Sequence, residues 1–244
     1  KNMPIHCLDM RFMGSAMRLP HEQGMFREWM VVPAKQCFAV GVATTAAEAA
    51  CSEPLSVCLH AASRAGDITG KRVLVTGAGP IGALMVAVAS YHGASEIVVT
   101  DLADAALDRA RAMGASRTIN VSKNAQALAE YEVGKGYFDL VFECSAAAPA
   151  IRGAIAAIRP RGTIVQVGVT GDVSIPLNAI VGKELQLHGT QRFHEEFGTA
   201  VDLISSRKID VRPIISHSLP LDEATAAFTL AGDRAAACKV QLTF

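Results

Sequence analysis

The chain has 244 residues, of which 50% are hydrophobic and 19% charged. That is enough apolar material for one large core or two modest ones, and it excludes a disordered chain. Lys+Arg and Asp+Glu each number 23, giving zero formal net charge, so nothing draws the chain to nucleic acid or to an anionic membrane. The apolar runs are broken by Gly, Pro or charge before membrane-spanning length. Six scattered cysteines (Cys7, Cys37, Cys51, Cys58, Cys144, Cys238) form no CxxC pair, and no leader pattern opens the sequence. The reading is a reducing, cytoplasmic setting with free thiols.

Taken in order, residues 1–54 lack a regular rhythm; Phe26–Val32 and Cys37–Val40 read as short strands of an irregular β region. From about Arg72 to Thr190 the rhythm is regular. The strands are RVLVT ending in a Gly turn (Arg72–Gly79), EIVVTD (Glu96–Asp101), RTINV (Arg117–Val121), FDLVFECS (Phe138–Ser145), TIVQVG (Thr163–Gly168) and LQLHGT (Leu185–Thr190). Between them lie helical stretches at Pro80–Gly93, Ala103–Met113, Ser122–Tyr131 and Ala147–Ile158. Strands apolar on both faces and separated by helices predict a parallel sheet covered on both sides. Six of them in two βαβαβ halves predict the doubly wound dinucleotide-binding fold. The tail reads as a helix at Glu196–Ser205, a strand near Ile214–Ser216, a helix at Asp222–Leu230 and a last strand at Lys239–Phe244.

Gly77-Ala78-Gly79-Pro80-Ile81-Gly82 spells GxGxxG directly after a predicted strand and at the start of a predicted helix. In that context each glycine has its own purpose. Gly77 serves the tight turn, Gly79 the approach to a pyrophosphate, and Gly82 the close packing of helix on strand. The helix start supplies N–H groups and partial positive charge for phosphates. Asp101 stands 19 residues beyond Gly82, at the end of the second strand. A carboxylate there accepts ribose hydroxyls and repels the extra phosphate of NADP, so NAD is the expected cofactor.

SEPLSVCLHAASRAG (Ser52–Gly66), VLVTGAGPIG and IVVTDL together resemble the zinc-containing polyol dehydrogenases of the medium-chain family. His6–Phe26, Lys135–Glu143, Ile180–Phe193 and Ala231–Phe244 are similar to the idonate-oxidising branch of that family. The resemblance implies a GroES-like β domain built from both chain ends around an inserted Rossmann domain. The expected division is 1–54 for the first part, 55–191 for the nucleotide domain and 192–244 for the return. It also implies two zinc sites. Glu53 matches the carboxylate of the catalytic zinc and Cys7 the last thiolate of the structural one. The other ligands of both sites are expected upstream of Lys1, so neither site closes within this sequence. Glu53 also reads simply as a helix-start carboxylate.

By the same resemblance Arg192 and Phe193 lie near substrate and nicotinamide, where Arg192 could hold a sugar-acid carboxylate; as a plain surface arginine it needs no partner. Val167, Gly168 and Val169 match the backbone that meets the nicotinamide amide, and Ile81 a residue packed on the cofactor. A basic residue over the adenine is absent at Ala106 or supplied by Arg109. His60 reads as a packing residue, and Cys144 as a buried core thiol.

The implied activity is zinc-dependent, NAD-linked oxidation of a secondary hydroxyl on a sugar acid or polyol, with L-idonate giving 5-keto-gluconate as the leading case. Three alternatives stand beside it: a sorbitol, xylitol or threonine dehydrogenase; an NAD-binding fragment without catalysis; and a zinc-free quinone reductase, which the Glu53 and Cys7 matches and Asp101 oppose. A homodimer or homotetramer joined at the edge strand LQLHGT is expected, with no nucleic-acid or membrane partner.

Overall fold

A computed structural model describes residues 3–15, 17–124 and 126–244. Six parallel strands form one sheet in the order β3-β2-β1-β4-β5-β6. They are β1 (Arg72–Thr76), β2 (Glu96–Asp101), β3 (Arg117–Asn120), β4 (Phe138–Glu143), β5 (Ile158–Gln166) and β6 (Gln186–Gly189). The order reverses between β1 and β4, which opens a crevice at the carboxyl ends of those two strands. A separate two-stranded parallel sheet pairs β7 (Ile215–Pro220) with β8 (Lys239–Thr243).

Period-two alternation sends the strand side chains to two cores. Val73, Val75, Ile97, Val99, Phe142 and Val165 join one cluster, with residues of helices α2 (Ser52–Ala65), α3 (Pro80–Tyr91), α4 (Asp104–Ala112) and α7 (Glu196–Ser205). Leu74, Val98, Val141 and Ile164 join the other, under α5 (Ala148–Ala157) and partly covered by α6 (Leu177–Gly182). Both faces are thus dry, which is why these strands read as continuous apolar runs rather than alternating ones.

Local chemistry sets the helix starts. Pro80 presets the first turn of α3 and has no N–H to leave unpaired. Helix α1 (Ala46–Ala49) begins on a reciprocal cap: Thr45 Oγ1 accepts from Glu48 N at 3.2 Å, and Glu48 Oε2 accepts from Thr45 N at 2.9 Å. Glu48 is buried and ion-paired to Arg207 just past α7, fastening this flank to the main body. Helix α8 (Ala224–Gly232) closes the tail.

Several expectations are corrected. Ser122–Tyr131 does not form a helix among its described residues: Asn120 Oδ1 accepts from Ser122 N at 3.0 Å and Asn124 Oδ1 from Gln126 N at 3.1 Å. These Asx turns give the backbone an alternative to helical bonding, and only a 3₁₀ turn at Ala129–Tyr131 follows. Phe26–Val32 and Cys37–Val40 are not strands; they carry no ladder among the described residues, and several of their apolar side chains stand open, with Trp29 at 87% and Val31 at 100% exposure. Strand β5 begins earlier than expected, at Ile158, because its first residues pair with β4 across a register shift at Phe138–Leu140.

Asp139 anchors the amino end of β4. Its carboxylate accepts from Arg72 N at 2.8 Å, Arg72 Nε at 3.1 Å and Arg159 Nε at 2.5 Å. Burial alone would raise its pKa, but the bonds from Arg72 and Arg159 reverse this and hold it well below the usual carboxylate range. A depressed folded-state pKa stabilises fully above the unfolded value near 3.9 and is lost as pH falls through the folded value. Asp139→Asn should therefore cost about 2 kcal/mol at pH 7 in urea unfolding, with the gap constant down to about pH 5 and shrinking below about pH 4. A gap that widened in acid would contradict this.

Candidate nucleotide site

The crevice is built from three strand ends. Strand β1 ends at Thr76 and turns through Gly77 into α3. Gly77 has φ +83°, and a Cβ there would meet the Ser145 backbone at 2.9 Å. A Cβ on Gly82 would fall 1.8 Å from Gly77 O, so the first turn of α3 lies directly on the strand-to-helix turn. Gly79 is the opposite case: it is extended (φ −63°, ψ −174°), exposed, and a Cβ would meet nothing within 4 Å. Two of the three glycines are demanded by the fold, and the third opens the helix start to a ligand.

Asp101, at the end of β2, faces the same turn. Its Oδ2 accepts from Ala78 N at 2.6 Å and its Oδ1 from Leu102 N at 2.7 Å and Ala103 N at 3.0 Å. The carboxylate is fixed and partly exposed, with lone pairs left for further donors. Pro80 and Ile81 occupy the first turn of α3, and Ile81 O accepts from Cys58 Sγ at 3.4 Å. Across the crevice, Val167 N and Gly168 N donate to Glu143 O at 2.9 and 2.8 Å. Val167 packs on the core and Val169 stands 92% exposed.

Arg192 has φ +49°. Its guanidinium lies 3.9 Å from the centroid of the Phe12 ring, and Nη2 donates to Met17 Sδ at 3.1 Å. Phe193 meets Phe12 edge-on at 6.4 Å and packs on Phe197 at 5.8 Å. Glu53 sits in the first turn of α2, and the surrounding protein desolvates it enough to raise its pKa, an effect eased by the nearby cations Lys239 and Arg192. The structure thus brings Arg192 and Lys239 within electrostatic range of Glu53. The sequence does not single out Lys239, because a lysine opening a terminal strand carries no motif.

Cys7 lies apart, exposed at the end of the 3₁₀ turn Pro4–His6. Among the described residues no group of three or more His, Cys, Asp or Glu is placed to hold a metal ion. Zinc therefore does not fit the described residues alone, and Glu53 and Cys7 come without the partners a site needs. Arg109 is turned to Cys238, where its charge opposes the rise that burial imposes on the thiol. Cys144 is partly buried, with its thiol pushed well up by burial. His60 is bonded through Nδ1 to Glu196 Oε1 at 2.8 Å. That pair lines a separate open cleft of about 750 Å³, bounded also by Arg64, Gln191 and His194, which does not include the glycine turn.

A doubly wound parallel sheet with a crowded GxGxxG turn at its switch point, faced by an acidic residue on β2, defines a dinucleotide-binding protein of the oxidoreductase type. Comparison with known proteins narrows the class. Residues 80–206 match the family model described as zinc-binding dehydrogenase. The chain is 38% identical over 239 residues to L-idonate 5-dehydrogenase (NAD(P)(+)) of Escherichia coli K12, covering 98% of this chain and 69% of that protein. Against the crystal structure of L-idonate 5-dehydrogenase from that organism the TM-score is 0.95. Chicken (Gallus gallus) sorbitol dehydrogenase is 33% identical, the match covering 86% of this chain but 60% of that protein. An Escherichia coli alcohol dehydrogenase crystallised with NADH is 27% identical, with a TM-score of 0.84 over 92% of this chain and 67% of that one. The chain belongs to the zinc-binding dehydrogenase family.

The glycine geometry predicts a split between two single-methyl variants. Gly82→Ala should cost about 1–3 kcal/mol in urea unfolding, because the methyl has no space. Gly79→Ala should leave unfolding unchanged yet weaken NADH binding in a fluorescence titration, because its methyl occupies only the approach of the pyrophosphate. Equal effects of the two on stability would contradict the assignment.

Proposed function

We propose that the chain is the cofactor-binding part of a dehydrogenase that oxidises a secondary hydroxyl on a sugar acid or polyol with NAD, L-idonate to 5-keto-gluconate being the leading case. The observation that carries this reading is the glycine turn, closed at Gly77 and Gly82 and open at Gly79, with Asp101 bonded across it. The 38% identity to L-idonate 5-dehydrogenase over nearly the whole chain supports the substrate class. Bound NAD would supply the hydride acceptor.

The chain's own residues take the remaining roles. Gly77 and Gly79 let the pyrophosphate approach the start of α3, whose first-turn N–H groups beyond Pro80 would receive it, and Ile81 packs against the cofactor. Asp101 accepts the ribose hydroxyls and disfavours a phosphate there, which selects NAD over NADP. Val167, Gly168 and Val169 present backbone to the nicotinamide amide. Arg192, held over Phe12 beside Phe193, pairs with a substrate carboxylate. Glu53 and Cys7 are proposed as one zinc ligand each, Glu53 at the catalytic centre and Cys7 at a structural one. The described residues do not by themselves complete either set.

The proposed division is 1–54 and 192–244 around a nucleotide domain at 55–191. Among the described residues no helix is long and apolar enough to cross a membrane. The edge strand β6, with Leu187 exposed and Leu177 and Val181 of α6 exposed beside it, is the proposed contact of a homodimer or homotetramer.

The alternative reading is nucleotide binding without turnover. Zinc content and rates on L-idonate and sorbitol with NAD separate the two. The dehydrogenase reading expects bound zinc and faster turnover of L-idonate; the other expects NADH binding with neither. In either case Asp101→Ser should weaken NADH and narrow its advantage over NADPH by about ten-fold in binding titrations, the scale of one lost charge-assisted contact. An unchanged NADH to NADPH ratio would remove Asp101 from the site.

A further inference from the structure

Among the described residues Glu143 is the one fully buried carboxylate at the crevice. It ends β4, midway between the turn after β1 and the end of β5. Every partner of its side chain donates. Oε1 accepts from Thr76 Oγ1 at 3.1 Å, from Ser145 N at 3.0 Å, from Ser145 Oγ and from Ala146 N at 3.1 Å. Oε2 accepts from Ala146 N at 3.1 Å and from Gln166 Nε2 at 2.6 Å. The same Gln166 nitrogen donates to Gly168 O at 2.8 Å, and Glu143 O receives Val167 N and Gly168 N. Side chain and backbone of one residue therefore fix the whole segment 145–146 and the whole segment 166–168.

Those segments are tightly matched, and the first is strained. Ala146 has φ +58°, a conformation that a Cβ-bearing residue keeps only when its surroundings hold it there. A Cβ on Gly168 would lie 2.6 Å from Ala146 N, so the two turns touch backbone to backbone. The carboxylate is the element that bonds both sides of this contact.

We infer that Glu143 is a positioning residue for the nicotinamide half of the dinucleotide, shaping the Ala146–Gly168 floor that receives it. This rests on the dinucleotide reading proposed above. In a doubly wound sheet each βαβαβ half serves one mononucleotide, and here the half carrying the acidic β2 residue takes the adenosine side. The ends of β4 and β5 are then left to the nicotinamide side. The glycine turn has supports of its own: Gly77 N donates to Thr100 O at 2.8 Å and Ala78 N to Asp101 at 2.6 Å. Losing the Glu143 charge should therefore disturb the nicotinamide side and spare the pyrophosphate side.

The test compares Glu143→Gln with the unaltered 244-residue chain, using NADH and ADP-ribose, which lacks the nicotinamide, as probes in calorimetric titrations. Glutamine keeps the shape but turns one oxygen into a donor that faces donors. The expected result is a loss of about ten-fold or more in NADH affinity, ADP-ribose affinity within about two-fold, and reduced enhancement of bound NADH fluorescence. Gln166→Met, which removes the Nε2 bonds to Glu143 Oε2 and to Gly168 O but leaves the carboxylate its other donors, should show the same split and serves if Glu143→Gln does not fold. If the unaltered chain binds both probes and the variants bind both as well as it does, or lose both in equal proportion, the inference is overturned while the dinucleotide reading stands. If the unaltered chain binds neither probe, both fall.

Discussion

At the end of β1 the chain comes so close to itself that side chains are excluded. A methyl on Gly82 would sit 1.8 Å from Gly77 O, and one on Gly77 would meet Ser145 at 2.9 Å. This contact sets the seating of α3 on the sheet, the separation of β1 and β4 at the switch point, and the direction in which the N–H groups of the α3 start are aimed. Asp101 reinforces it from β2 through Ala78 N, while Glu143 on β4 fixes the neighbouring segments through Ala146 N and Gln166 Nε2. The crevice is thus shaped by backbone crowding and two carboxylates, before any ligand arrives.

Around that crevice the two faces of the sheet differ in what they carry. One is covered by α2, α3, α4 and α7 and leads to Glu53, Arg192 and Lys239. The other, under α5 and α6, runs out to the exposed apolar edge at Leu177, Val181 and Leu187. The charged and aromatic groups near Arg192 belong to a different part of the chain from the glycine turn, with Phe12 and Met17 coming from the irregular first flank. The Arg192 group is thus assembled from both flanks of the chain, whereas the crevice is built from the regular sheet alone.

The regular middle of the chain is legible because its signals are local and redundant. Apolar runs bounded by Gly and Pro predict β1, β2, β4 and β6, and GxGxxG between a strand and a helix predicts the turn that the structure contains. Ser122–Tyr131 misleads because Asn120 and Asn124 compete for the backbone, an effect that hydrophobic periodicity does not register. The strands expected at Phe26–Val32 and Cys37–Val40 fail for another reason: a strand exists only with a partner, and these segments find none among the described residues. The cap at Thr45 does have a sequence signature, T-A-A-E, that hydrophobic patterning alone passes over. Glu143 has a signal as well, a carboxylate placed directly after the apolar run Leu140–Phe142. Its partners at Thr76, Ser145 and Gln166 come from three strand ends, which only the fold brings together.

The central claim is that the glycine turn at the β1–β4 switch point receives a dinucleotide. Amide hydrogen exchange of the 244-residue chain, with and without saturating NADH, tests it most directly. The account predicts that NADH slows exchange at residues 78–83, beside Asp101, and at 143–146 and 166–169, and leaves the 750 Å³ cleft around His60 and His194 unchanged. Protection confined to that cleft, or no saturable protection anywhere, would contradict it.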